Sequence, residues 1–466
     1  MTLVLRNATV LDVEAHRTLR DRSVLIEGGR ITGVVEDGRA TGEGPGADVV
    51  DCGGRYVLPG LVDAHVHLRP GPHAGPHSDR PPVDSGQQAG ARPDDVAAQL
   101  HSYLYCGVTS VFDAGNEAGL VWPLRESERS GQLLAPRVFC AGPFVTCTGG
   151  HGSEILEAVE VDDLPADLPR LRSHLARRPD LVKVTYDEHN WGVRPLVPIL
   201  SPSVLRGIVD VAHAESLRVT VHISNEMRAR EAVDCGADTL AHPVIQSPIT
   251  DEFAELLAVR RLPVVSTLAI GERYFRLADD PTFLDQELYQ TCIGPEERRR
   301  LATEEHLAQQ RNRWADWMRV MTPIAQENLR RMVAAGCIVA TGTDLSLGPE
   351  LVHELALLQD AGIPPWEVLT CATLNAASFL GKEQEMGSVK AGNLADLVVV
   401  DNDPSTDVSR LASLFMVVKG GRIIDRSTLE LTGERPQRSD RSPLRSGVPK
   451  SEHVNTKKSH GGRKTT

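Results

Sequence analysis

Two histidines separated by a single residue, His65 and His67 in LVDAHVHL, are the first side chains whose type and spacing suggest chemistry. On a β-strand, residues two apart project from one face, so both imidazoles point the same way. Two imidazoles on one short, rigid element make half of a site for a divalent cation. A bare HxH is more often a pair of exposed strand histidines, but the other candidates shift that balance. Lys183 is embedded in LVKVTY, His222 lies in VTVHI, His242 in DTLAHP, and Asp344 ends IVATGTD. Each sits at or near the C-terminal end of an apolar stretch that reads as a strand, the rim where barrel active sites are assembled. Lys183 stands out because a charged amine is costly to bury among apolar neighbours. It snorkels to the rim, stays neutral or paired, or is carboxylated by CO2 to a carbamate (N6-carboxylysine) that can bridge two cations. Spacing does not separate these.

Such positions need a regular scaffold. Strand candidates are 56–67, 109–114, 137–145, 181–186, 218–223, 239–242, 263–268 and 338–344. Helical periodicity fits 95–106, 121–130, 168–177, 203–215, 226–235, 251–258, 325–335 and 351–360, several running into a glycine stop at Gly107, Gly236, Gly336 or Gly362. Eight β–α units over about 320 residues match an α/β fold of the (β/α)8 barrel type with insertions. One insertion, 69–92, is rich in Pro, Gly and His. The other, 269–323, separates the seventh strand from its helix, and connections of that length commonly carry a lid or substrate loop. The first fifty-odd residues read as short strands with a turn at Gly28-Gly29, and 396–424 repeats the style, so a β-rich module made from both ends is expected.

Composition narrows the function classes. The 466 residues carry 50 Lys+Arg against 63 Asp+Glu, a net charge of −13, with 41% hydrophobic and 24% charged residues. This is ordinary globular usage, long enough for a large core, and it excludes wholesale disorder, collagen and coiled coil. No apolar run approaches the ~20 residues of a membrane span, and the start lacks a signal-peptide layout. Eight cysteines without CxxC pairing fit reduced thiols, so a cytoplasmic protein without a membrane partner is expected. The acidic total argues against nucleic acid as the main ligand. From Thr432 onward nine Lys/Arg face three Asp/Glu; −13 over the chain and +6 over this tail leave −19 for the body. The tail has almost no apolar residues and reads as a disordered, solvated terminus rather than a contact for RNA or anionic lipid.

PGLVDAHVHL, the strand lysine, the two single histidines, GTD, and the late ATLNAASFLG…GSVKAGNLADLVVVDNDP segment together resemble the amidohydrolase superfamily. Within it the chain is most similar to the imidazolonepropionase-like and prolidase-like metal hydrolases, over roughly residues 1–425. The resemblance implies a (β/α)8 TIM barrel at 56–382, a small β-sandwich from 1–55 and 383–430, and a basic tail at 431–466. It also implies that His65, His67 and Asp344 hold the more buried of two divalent metals, His222 and His242 the second, and carboxylated Lys183 bridges them. Zinc is the expected metal, although manganese, cobalt or iron suit the same ligands. A water or hydroxide between the metals would be the nucleophile, and Asp344 would take its proton and pass it to the leaving amine.

Further matches concern the substrate. Thr148-Gly149-Gly150-His151-Gly152 resembles the TGGHG segment of the prolidase-like branch, which makes His151 an expected contact to a substrate carbonyl or carboxylate. His353 matches a family histidine near the substrate, with helix packing as the plain alternative. Tyr186 is a candidate hydrogen-bond donor to substrate or oxyanion, or else a packed tyrosine. Arg273 and Arg276 are weaker candidates for a substrate carboxylate, since arginines in a charged insert are usually solvated. His73 and His77 read as surface residues. The expected activity is hydrolysis of an amide or other C–N bond in a small molecule: a dipeptide, an N-acyl amino acid, a cyclic amide or a xenobiotic amide. A mononuclear deaminase or ring-opening hydrolase with unmodified Lys183 is the alternative among enzymes. An inactive barrel serving in assembly is the alternative outside them, and the retained ligand positions do not support it. Relatives suggest a homo-oligomer.

Overall fold

The computed structural model describes residues 2–39, 46–69, 96–189 and 196–432. Gly28 and Gly29, at φ 58° and 82°, adopt the left-handed conformation that a tight two-residue hairpin demands. Arg17–Glu27 and Arg30–Glu36 therefore pair antiparallel, with Glu27 opposite Arg30. Thr2–Asp12 lies on the other side of Arg17–Glu27, and Tyr56–Pro59 pairs with both Thr2–Asp12 and Leu397–Val400. Leu414–Lys419 and Arg422–Ile424 extend the edge, so the N-terminal strands and those after residue 396 meet in one eight-stranded sheet. Its buried face packs Leu5, Val24, Ile26, Val57, Leu397 and Val399.

The stretch 56–67, expected as one strand, is two. Gly60 divides it, at a point where any Cβ would collide with the Thr109 side chain. Tyr56–Pro59 joins the terminal sheet, and Leu61–Val66 begins a parallel set with Val108–Asp113 and Arg137–Cys140. Likewise 137–145 divides at Gly142, which is packed against Trp122. Phe144–Thr146 then enters a second parallel sheet with Val182–Thr185, Val219–His222, Thr239–Ala241, Val264–Val265 and Val339–Ala340, edged by Ala158–Glu160. Backbone bonds from Ala64 N to Thr341 O and from Asp180 N to Cys140 O, both 2.9 Å, link the two parallel sets. Three of the strands stop short of their expected ends because His242, Thr267 and Asp344 leave extended geometry for φ of 74°, 44° and 57°.

The helices between strands carry the signals that mark their ends. Ser201, Asn225 and Thr250 cap Pro202–Ala214, Glu226–Asp234 and Asp251–Arg260 by accepting from the backbone N–H three residues on. Gly107, Gly236, Gly336 and Gly362 all have positive φ, as helix stops require. The insertion 269–323 holds most of the helix Leu268–Asp279, three short α-helices joined by 3-10 and π turns, and the start of the 22-residue helix Arg313–Ala334. All eight cysteines are buried and unpaired. Among the described residues no helix is long and apolar enough to cross a membrane. Nearly all of the 69–92 insertion, including His73 and His77, and the tail beyond Thr432 lie outside the described residues.

Candidate active site

Parallel pairing brings the strand ends level: Thr185 stands opposite His222, and His222 opposite Ala241. The side chains that follow converge. The His242 ring centroid is 4.5 Å from that of His65 and 4.5 Å from that of His222, and His65 and His67 are 5.4 Å apart. Ligand-type atoms of His65, His242 and Asp344 all lie within 4.8 Å of one another. A second group with the same spread comprises His151, Asp187 and His222. Lys183 Nζ is 3.4 Å from His65 Nε2. The expected site residues His65, His67, Lys183, His222, His242, Asp344 and His151 are thus brought together, with His242 lying between His65 and His222 at equal centroid distances.

Hydrogen bonds orient the cluster. His67 Nδ1 is 2.8 Å from the Gly115 carbonyl, which only accepts, so that nitrogen carries the proton and Nε2 faces Asp344 Oδ1 at 3.1 Å. A neutral His67 would set two lone pairs against each other there; a proton or a cation between them removes the conflict. His242 Nδ1 meets Thr267 Oγ1 at 2.8 Å. Asp63 accepts from Thr343 N and Oγ1, and Asp344 N donates to His65 O, so the GTD turn is tied to the first parallel strand. Left-handed φ at His242, Thr267 and Asp344 is strain of roughly 1–3 kcal/mol per residue, the kind held in place at functional sites.

The electrostatics suit cation binding. Burial holds His65 and His242 well below the ordinary histidine value, so both are neutral, as metal ligation requires. Burial pushes the Lys183 amine down to about 7, against the pull of Asp344 and Asp113. Burial alone would raise Asp344, but the His67 hydrogen bond and the nearby positive charge outweigh it and keep the carboxylate ionised. Asp187 behaves alike, burial being overcome by His222, His151 and Ser224. The cleft above has a polar floor of His67, His151, Lys183, His222, His242 and Asp344, with apolar walls that include Phe144, Ile270, Tyr274, Trp314 and Met318. A larger cavity of about 890 Å³ lies among Arg218, Asp238, Arg261 and Ile338, away from this cluster.

Several residues expected on the substrate side have other partners in the structure. Tyr186 is fully buried with its hydroxyl 2.8 Å from Glu231 Oε2. Lys183 and Thr185 line the cleft, and strand alternation turns Tyr186 the other way. His353 pairs with Glu272 at 3.0 Å and is not among the cleft-lining residues. Arg273 and Arg276 are neither solvated nor offered to a substrate: both bind the buried Glu350, at 2.7 and 3.0 Å. Asp187 was missed, although it continues the alternation of Lys183 and Thr185 in LVKVTYDEH. Arg69, two residues past His67, also lines the cleft and had no signal of its own.

The amidohydrolase family model matches residues 56–424. An uncharacterized protein of Mycobacterium tuberculosis is 26% identical over 396 residues, covering 83% of this chain and 90% of that protein. An imidazolonepropionase of Symbiobacterium thermophilum is 25% identical over 413 residues, covering 83% and 85%. A solved amidohydrolase structure superposes with a TM-score of 0.68 at 26% identity, covering 91% of this chain and 99% of that one.

Proposed function

We propose, for a chain that belongs to the amidohydrolase family, a metal-dependent hydrolysis of an amide or other C–N bond in a small molecule. The observation that carries this reading is the convergence of buried histidines on Asp344, with His67 Nε2 facing its carboxylate at 3.1 Å. His65, His67, His222, His242, Lys183 and Asp344 are the proposed holders of divalent metal, zinc fitting a set of imidazole and oxygen donors. When bound, the metal supplies Lewis acidity that polarises the scissile carbonyl and makes water acidic near neutral pH. Asp344, ionised and at the centre of the cluster, accepts the proton from the attacking water and returns it to the departing nitrogen. His151, beside His222 at a centroid distance of 4.3 Å, is the proposed contact to the substrate carbonyl or carboxylate.

A binuclear centre bridged by carboxylated Lys183 is the finer form of this proposal. Its support is the buried amine held near neutrality, since the neutral amine is the form that adds to CO2 with loss of one proton. Closure of the two parallel sheets into one (β/α)8 barrel is supported by the bonds joining Ala64 to Thr341 and Asp180 to Cys140. The domain limits proposed at about 55 and 382 set the terminal sheet apart from the parallel set, although Tyr56–Pro59 still pairs in the terminal sheet and the chain changes sheets at Gly60. A cytoplasmic setting is consistent with eight unpaired thiols.

The test is to follow hydrolysis of dipeptides, N-acyl amino acids, hydantoins and lactones by mass spectrometry with the metal-loaded chain. Asp344→Asn is expected to lower kcat by about 10²–10⁴-fold. About two metals per chain would support the binuclear form, and one would favour a mononuclear relative. Full turnover by Asp344→Asn would refute the assigned role.

A further inference from the structure

Glu354 lies on the helix Gly348–Asp360, fully buried. Its carboxylate does not serve its own helix. Oε1 accepts from the Ser266 hydroxyl and from Leu268 N at 3.0 Å, and Oε2 accepts from Ala269 N at 2.6 Å. One oxygen thus grips both neighbours of Thr267, and the other grips the residue beyond. Thr267 itself is the β-branched residue at φ 44°, a conformation such residues avoid unless their surroundings impose it. Its N–H donates to Gly342 O at 3.1 Å, and its hydroxyl lies 2.8 Å from His242 Nδ1.

We propose that Glu354 is a positioning residue for His242: by clamping Ser266, Leu268 and Ala269 it holds Thr267 left-handed, so that Oγ1 accepts from His242 Nδ1–H and the ring proton is kept off Nε2. The choice of Nδ1–H and its consequence for metal rest on the reading of His242 as a ligand; the hold on Thr267 does not. The same clamp secures the first turn of the helix Leu268–Asp279, whose Ile270 and Tyr274 wall the cleft. Ligand histidines commonly depend on the partner of their other nitrogen for orientation and tautomer.

Two readouts on the full chain test this. In metal-stripped protein with ¹⁵N-histidine, long-range ¹H–¹⁵N correlations of His242, assigned by their loss in His242→Gln, are expected to report Nδ1–H in the wild type. Thr267→Val and Glu354→Ala should each shift His242 to mixed tautomers, and the double variant should shift it no further, because both act in one chain. In zinc-loaded protein, competition with a chromophoric chelator should show the weakest-held zinc loosened about 10- to 100-fold in either variant. If Glu354→Ala fails to fold, Glu354→Gln is read instead, with a smaller shift of the same sign. A folded Glu354 variant that keeps the wild-type tautomer and zinc retention, or additive effects in the double variant, would overturn the proposal. A wild-type chain that takes up no zinc, yet changes tautomer in these variants, would sink the metal reading while supporting the positioning one.

Discussion

Within LVKVTYDEH, alternation assigns roles that residue type alone does not. Lys183 and Thr185 line the cleft, Asp187 approaches His222 Nε2 at 3.8 Å, and Tyr186 turns outward to Glu231. A tyrosine and an aspartate in adjacent positions look equally chemical in sequence, yet only the aspartate is in phase with Lys183. Tyr186→Phe is therefore expected to leave kcat and KM nearly unchanged while costing about 1 kcal/mol in urea unfolding, the worth of one hydrogen bond. A large fall in kcat would return Tyr186 to the catalytic machinery. The metal-type ligands were legible because each lies in or shortly after an apolar strand stretch; Thr267 and Glu354 were not, because a hydroxyl and a carboxylate acting through hydrogen bonds leave no spacing pattern.

The insertion 269–323 shows what elements add. Charged and helical in sequence, it offered arginines as substrate contacts, but folding brings Glu350 of the following helix against Arg273 and Arg276, with Arg276 3.8 Å from the centre of the Phe283 ring. These charges pin the insertion to the helix that follows Asp344 and its turn. Removing one side of a buried pair leaves the other unpaired, so Glu350→Gln is expected to cost about 3–5 kcal/mol of stability. Limited proteolysis should then cut within 269–312 faster than elsewhere; unchanged cleavage and unchanged unfolding midpoint would show that the pairs do not hold the insertion. Element positions were largely readable, since glycine stops and caps are local. The divisions at Gly60 and Gly142 were not, because what forbids a Cβ there is Thr109 or Trp122, residues distant in sequence or on another element.

Over the whole molecule, burial sets how stability responds to pH. His174 is 7% exposed, and burial lowers its pKa from 6.5 to about 4. An unfolded chain binds this proton from about pH 6.5 downward, whereas the folded chain declines it until about 4. The contribution is therefore fully present above pH 6.5 and is lost as pH falls toward 4, up to about 3 kcal/mol. His174→Phe should flatten the pH dependence of the unfolding free energy over that window relative to wild type; parallel curves would contradict the burial argument. The sequence by itself determined the alternation of strands and helices, the β-structure of the first fifty-odd residues and of 396–424, and the six metal-type side chains, because hydrophobic period and strand-end placement are local properties of the chain. Only the tertiary structure decided which of those side chains share an ion-sized space, that Asp187 joins them, that Tyr186 and the two arginines do not, and that Glu354 grips the turn beside His242. These are contacts between residues tens to hundreds of positions apart, and they depend on distances that exist only once the strands lie side by side.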